Sequence, residues 1–290
     1  MSGAAPDIAL FGTTFSNPIV LAAGTAGYGL ELAGVTALER LGGIVCKAVS
    51  LAPREGNRPP RVAEFSGGML NSVGLANPGL EHVRTHELPR LAAAVSRCRI
   101  LVNVVGFTTG EYARVVAGLE DVEGIAAYEL NLSCPNTSAG GVEFGADREC
   151  VRRIVEECRA VTRRGLAVKL SPALPDIAAL AVVARDAGAD AVTVVNTLPG
   201  LLFDGQATRL GHGNGGVSGP VLLPVGVLAV VRVLEKTGGM PVIGVGGVRT
   251  ADDARQYLRA GATLVGIGTA ALADPRLPER IVRDLERARG

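Results

Sequence analysis

Eight short apolar runs alternate with helix-like stretches along the 290-residue chain, and glycine closes several helices on their way into the next run. Together these observations predict an α/β fold, a (β/α)8 TIM barrel with long inserted loops at the C-terminal face. The runs lie at 19–23, 44–49, 100–105, 125–130, 166–170, 191–196, 241–245 and 264–267. Helical patterns fall near 30–41, 80–96, 109–119, 146–163, 175–187, 219–237, 250–260 and 277–288, one after each run. The turns Leu41-Gly42-Gly43-Ile44, Ala187-Gly188-Ala189-Asp190 and Ala260-Gly261-Ala262-Thr263 place glycine where a helix end turns back into a strand. Residues 1–290 therefore read as one domain.

Composition agrees. Hydrophobic residues make up 48% of the chain, aromatics only 3% and Trp is absent, so the core is built from Val, Leu, Ile and Ala. Such residues suit strands buried on both faces of a parallel sheet. A net charge of +1, without a basic block, argues against nucleic acid as a partner. No signal-peptide pattern opens the sequence, and Gly, Pro or charge interrupts every span approaching the ~18 apolar residues of a membrane helix. The five cysteines form no CxxC pair and no secreted-type framework, so a reducing cytoplasmic setting is expected and no iron–sulfur motif is carried.

Two connections are longer than a simple barrel needs. Residues 50–79, rich in Pro, Gly and Arg, follow the second run; residues 197–218, rich in Gly, follow the sixth. Both leave the C-terminal ends of strands, where barrels place their sites, and are read as lids.

The same face collects the residues with chemistry. The fourth run ends in Asn131-Leu132-Ser133-Cys134-Pro135-Asn136, where amides offer both donors and acceptors, a thiol can take a proton and Pro135 stops regular structure. Loop residues of these types are also ordinary, and a lone Cys is often inert packing. Asn71, Asn77, Asn103 and Asn196 recur at the same face, which suggests a flat heterocycle with many carbonyl and N–H groups. Lys47 and Lys169 stand at ends of apolar strands, a costly place for a charge without a ligand or counter-charge. Each serves an anionic or electron-accepting ligand, forms a Schiff base, or simply snorkels to the rim. Gly244-Val245-Gly246-Gly247 and Gly266-Ile267-Gly268-Thr269 end the last two strands, the usual phosphate loops of a barrel. Arg249 stands where a third glycine would complete GxGxxG, which disfavours a Rossmann reading. His82 and His86 have i,i+4 spacing but lack an acidic partner at metalloprotease spacing, so no metal site is expected. Cys46, Cys98, Cys150 and Cys158 read as packing residues.

The ordered set Lys47-Ala48-Val49, Pro53-Arg54-Glu55-Gly56-Asn57, Asn71-Ser72-Val73-Gly74-Leu75, Asn131 to Asn136, Val168-Lys169-Leu170-Ser171-Pro172, Asn196-Thr197, Gly216-Val217-Ser218-Gly219-Pro220 and Gly246-Gly247 resembles dihydroorotate dehydrogenases of class 1B, in their catalytic subunit. The resemblance implies an FMN-binding barrel in the cytoplasm that oxidises (S)-dihydroorotate to orotate in pyrimidine (UMP) biosynthesis. Cys134 would be the base. Lys47, Asn71, Ser72, Val73, Gly74, Leu75, Asn131, Asn136, Asn196 and Thr197 would hold the substrate. FMN would be met by Ala23, Lys47, Ala48, Asn103, Asn131, Lys169, Val195, Gly219, Gly246, Gly247, Gly268 and Thr269. Ala23 departs from the Ser common in relatives, which removes a hydroxyl contact.

Class 1B further implies a heterotetramer on a catalytic homodimer, in which a second subunit with FAD and a 2Fe–2S cluster passes electrons to NAD. A class 1A relative would use fumarate with no such partner. A dihydropyrimidine dehydrogenase-like barrel shares a similar Asn-Leu-Ser-Cys-Pro stretch, and a lysine aldolase or a catalytically silent barrel are the remaining rivals.

Overall fold

The computed structural model describes residues 7–133, 135, 136 and 142–287, without the side chains of 135, 136, 142 and 143. Eight parallel strands close a barrel: β1 (Ile19–Leu21), β2 (Gly43–Val49), β3 (Arg99–Val104), β4 (Ile125–Asn131), β5 (Gly165–Leu170), β6 (Ala191–Val194), β7 (Val242–Val245) and β8 (Leu264–Ile267). Each pairs with its sequence neighbours, and β8 returns to β1 through Val265 opposite Ile19. All eight expected runs are barrel strands.

Seven of the expected helical patterns form helices. Leu80–His82 continues through a π turn (Val83–Glu87) into Leu88–Ala94 as α1, followed by α2 (Thr109–Ala117), α3 (Arg148–Val161), α4 (Ile177–Asp186), α5 (Leu223–Thr237) and α6 (Ala251–Arg259). A short α7 (Thr269–Ala273) precedes α8 (Leu277–Arg287). The helix expected over 30–41 does not form: only single 3-10 turns at Leu30–Leu32 and Leu38–Arg40 appear. Gly34, with φ +83°, splits the segment, and that backbone shape cannot continue a right-handed helix.

Side chains inside the barrel alternate with those facing the helices, and a layer is read off by counting in twos. One apolar layer takes Val20, Val45, Leu101, Ala127, Ala167, Ala191, Ile243 and Leu264, a residue from each strand. Leu10 and Phe15 pack beneath it from an antiparallel hairpin, Ile8–Leu10 with Thr13–Phe15, which closes the N-terminal end. Its turn is Phe11-Gly12, both at positive φ, a pair that carries none of the usual Asn-Gly signal. Phe11 lies over Gly165, where a Cβ would come 2.3 Å from its ring. Two residues further along β3, β4, β5 and β6 stand Asn103, Glu129, Lys169 and Thr193. The barrel interior therefore turns from apolar to polar one layer below the mouth.

The two long connections are not separate lids. They join in one antiparallel sheet in the order Leu198–Gly200, Gly215–Ser218, Gly68–Asn71, Val62–Phe65, attached to the C-terminal ends of β2 and β6.

Candidate active site

The polar layer is organised by one carboxylate. Glu129 is 1% exposed, and no sequence pattern pointed to it because it lies within the apolar run of β4. Cross-strand register sets Asn103 directly opposite it, and the Asn103 amide donates to its Oε1 at 2.7 Å. Thr193 Oγ1 donates to Oε2 at 2.7 Å. The ammonium of Lys169, 6% exposed, lies 3.7 Å from Oε1. Lys169 thus meets a counter-charge inside the barrel and does not snorkel to the rim. The rule that singled out Lys169, a charge at an inward position of an apolar strand, applies equally to Glu129. Because Asn103 gives its NH2 to Glu129, its Oδ1 is left as an acceptor for whatever occupies the mouth.

One layer higher, Asn131 ends β4 opposite Lys169. Its Oδ1 accepts from Ser133 N and Asn196 Nδ2, both at 3.3 Å, so its own NH2 is the group left to donate. Its carbonyl accepts from Tyr112 Oη at 2.9 Å, which ties the strand end to α2. Asn196 in turn accepts from Thr197 N at 2.9 Å. Val195, beside it, is buried. Lys47 sits half-buried at an irregularity in β2 between Cys46 and Val49, where a bulge re-aims a side chain. Among the described residues no carboxylate lies within ion-pair distance of it. Ala48 beside it is buried, its carbonyl accepting from Tyr28 Oη at 3.1 Å. Ala23 follows β1 and packs against the inner apolar layer.

Residues 71–75 form the return of the first long connection. Asn71 Nδ2 donates to Gly216 O at 3.2 Å, joining the two connections at the point where their strands pair. Asn57 Nδ2 donates to Ser72 Oγ at 2.7 Å, and Asn57 N to Val73 O at 3.0 Å. Gly74 and Leu75 both have positive φ, +73° and +58°, and a leucine in that region marks a backbone over-determined by its surroundings. Asn77 differs from the other amides. It accepts from Ser50 N and Gly79 N and donates to Ser50 Oγ and Leu75 O, so its amide is spent on holding the connection together.

The opposite side of the mouth is backbone. Gly246 and Gly247 have φ +130° and +76°, and a Cβ on Gly247 would sit 2.6 Å from Leu223 N. Tyr257 of α6, fully buried, passes close to Gly226 and Gly244, where a Cβ would come 1.9 Å from its Oη and 2.3 Å from its Cδ1. Its phenol, pushed upward by burial and so kept as a donor, donates to Gly246 O at 2.8 Å. Across a trans peptide the Gly247 N–H then points the other way, away from Tyr257. Gly268 precedes α7, and a Cβ there would still clear its nearest neighbours, Thr25 and Ala22, by 3.7 Å or more. Thr269 Oγ1 donates to Ser218 Oγ at 2.8 Å, and Gly219 follows at φ +102°.

Some expected residues stand apart. Cys134 lies outside the described residues; the backbone of Asn136 pairs with Val142 in a two-residue strand. His82 and His86 stack on the helical exterior at 4.8 Å, with His82 Nε2 3.1 Å from Glu87. Cys98 and Cys158 are buried and pushed up to about 12 by that burial, and Cys46 is pushed up further. Cys150 is half-buried on α3.

The family profile described as "Dihydroorotate dehydrogenase" matches residues 7–288. The chain belongs to the dihydroorotate dehydrogenase family. A relative from Desulforudis audaxviator, named dihydroorotate dehydrogenase B (NAD(+)), catalytic subunit, is 43% identical over 96% of this chain and 91% of its own. Another from Solibacter usitatus, provisionally named dihydroorotate dehydrogenase A (fumarate), is 44% identical over 94% and 90%. The fold matches that of a dihydroorotate dehydrogenase from Eimeria tenella solved with ferulenol, with a TM-score of 0.80 at 24% identity, over 96% of this chain and 83% of that one.

Proposed function

We propose that residues 1–290 form a single FMN-binding domain that oxidises dihydroorotate to orotate in pyrimidine biosynthesis, as the catalytic subunit of a class 1B enzyme. The observation that carries this is the mouth itself: a floor of Asn103, Glu129, Lys169 and Thr193 faces a wall of glycine backbone at Gly246 and Gly247. A flat ring edged with carbonyl and N–H groups fits the first, and a phosphate fits the second.

The donor set matches FMN. The acceptor left at Asn103, the ammonium of Lys169 and the donor left at Asn131 lie along strands β3 to β5. At Gly247 a side chain would collide with Leu223, so the chain keeps that stretch as bare backbone. When bound, FMN supplies the hydride acceptor. Cys134 takes the proton from C5 of dihydroorotate as the hydride leaves C6. Lys47, residues 71–75, Asn131, Asn136, Asn196 and Thr197 hold the substrate. Lys169 stabilises negative charge that builds on the ring. An ordinary thiol pKa of about 8.5 means that Cys134 acts best in a basic medium or beside a positive group such as Lys47.

Electrons then pass to NAD through a second subunit with FAD and an iron–sulfur cluster. The name "catalytic subunit" carried by the Desulforudis relative supports a partner chain. Among the described residues no helix is long and apolar enough to cross a membrane.

Purified protein loaded with FMN is expected to be yellow and to bleach on anaerobic addition of dihydroorotate. Protein that takes up no FMN, or bleaches only with dihydrouracil, refutes the reading. Turnover with fumarate by the chain alone would place it with the Solibacter relative instead.

A further inference from the structure

Glu129 needs a reason. The apolar layer below it is complete, with one residue from every strand, and the barrel does not require a charge above that layer. A buried ion pair is a poor source of stability, since apolar side chains of like volume usually serve as well or better. Both oxygens of the carboxylate are nevertheless engaged, Oε1 by Asn103 at 2.7 Å and Oε2 by Thr193 at 2.7 Å, and Lys169 lies 3.7 Å away. Among the described residues no other carboxylate comes within ion-pair distance of Lys169. The arrangement holds one negative charge at a set place beside one positive charge in the same layer.

We propose that Glu129 is a positioning residue that offsets the charge of Lys169 in the barrel mouth and so lowers the affinity of the site for reduced flavin relative to oxidised flavin. This rests on the FMN reading above. An unpaired ammonium facing the ring would favour the electron-rich reduced form strongly. With Glu129 in place the floor is close to neutral, and the flavin gives up its electrons more readily. That suits a subunit whose product electrons must go onward to another acceptor. Replacing Glu129 by a neutral residue leaves the floor more positive by up to one charge, so the sign of the effect is set.

The test measures FMN affinity by absorbance titration and the midpoint potential by anaerobic equilibration with reference dyes, in the wild-type chain and three variants. Glu129→Gln is expected to raise the reduced-to-oxidised affinity ratio about tenfold, which for a two-electron couple is a potential about 30 mV higher. Glu129→Met, apolar and of similar volume, reads the same loss of charge should the glutamine variant fold poorly. Glu129→Asp keeps the charge and is expected to stay near the wild-type ratio. A ratio that is unchanged or lower in the neutral variants overturns the proposal, as does an aspartate variant that shifts as far as they do. Wild-type protein that binds no FMN overturns the functional reading and this proposal with it, whereas normal FMN binding with an unmoved potential overturns this proposal alone.

Discussion

The two sides of the barrel mouth are made of different material. Between β3 and β6 the surface is side chain: a carboxylate, an ammonium, a hydroxyl and amides that fix one another through hydrogen bonds. Between β7 and β8 it is backbone, kept bare by glycines and braced from behind by Tyr257. On the reading proposed above, the first side would select its ligand through the sense in which each amide points, and the second through what is missing. A substitution on the first side therefore removes a partner, and one on the second adds an obstacle.

The largest expected effect concerns the thiol proposed as the base. Cys134→Ser should slow flavin reduction by dihydroorotate about 10²–10⁴-fold near neutral pH in stopped-flow experiments, with FMN still bound. An unchanged rate would remove Cys134 from the chemistry. Next comes the buried pair. Lys169→Ala leaves Glu129 without its counter-charge, and urea unfolding should show a loss of about 3–5 kcal/mol. Replacing both, as Glu129→Leu with Lys169→Met, should recover most of that stability while FMN affinity stays low. A double variant as unstable as the single one would mean that the pair serves the fold and not the ligand.

Smaller effects belong to the backbone side. Gly247→Ala places a side chain at φ +76° and 2.6 Å from Leu223 N. Strain of about 1–3 kcal/mol should weaken FMN binding about five- to a hundred-and-fiftyfold, read by equilibrium titration. Binding at wild-type strength would show that this loop does not touch the cofactor. Tyr257→Phe is the mildest. Losing the hydrogen bond to Gly246 costs about 1 kcal/mol, and FMN affinity should fall by less than about tenfold. A larger fall would mean that Tyr257 shapes the loop rather than merely bracing it.

The glycine side was legible from sequence because absence of a side chain is visible there: Gly246, Gly247 and Gly268 stand out at strand ends. The side-chain half was legible only in part. Asn103, Asn131 and Lys169 are unusual residues in apolar strands, but Glu129 passed unnoticed within a run that otherwise reads as core. Thr193 carries no signal at all, since threonine is ordinary in a strand. The N-terminal hairpin, with three-residue strands and a Phe-Gly turn, was likewise too short and atypical to announce itself.

Alternation of apolar runs with helical patterns determined the barrel, because a strand buried on both faces and an amphipathic helix leave few other ways to cover each other. The ordered motifs determined the family. Tertiary structure alone decided how the polar groups are oriented. Asn77 looked like Asn71 in sequence, yet its amide is spent on Ser50, Gly79 and Leu75. The two long connections looked independent, yet they pair strand to strand across some 145 residues of chain, as Asn71 Nδ2 to Gly216 O shows. Glu129 acquires its role only when closure of the barrel brings Asn103, Lys169 and Thr193 around it. Hydrogen bonds and ion pairs act across a few ångströms of space, and nothing in a linear pattern records which distant residues a closed barrel will place there.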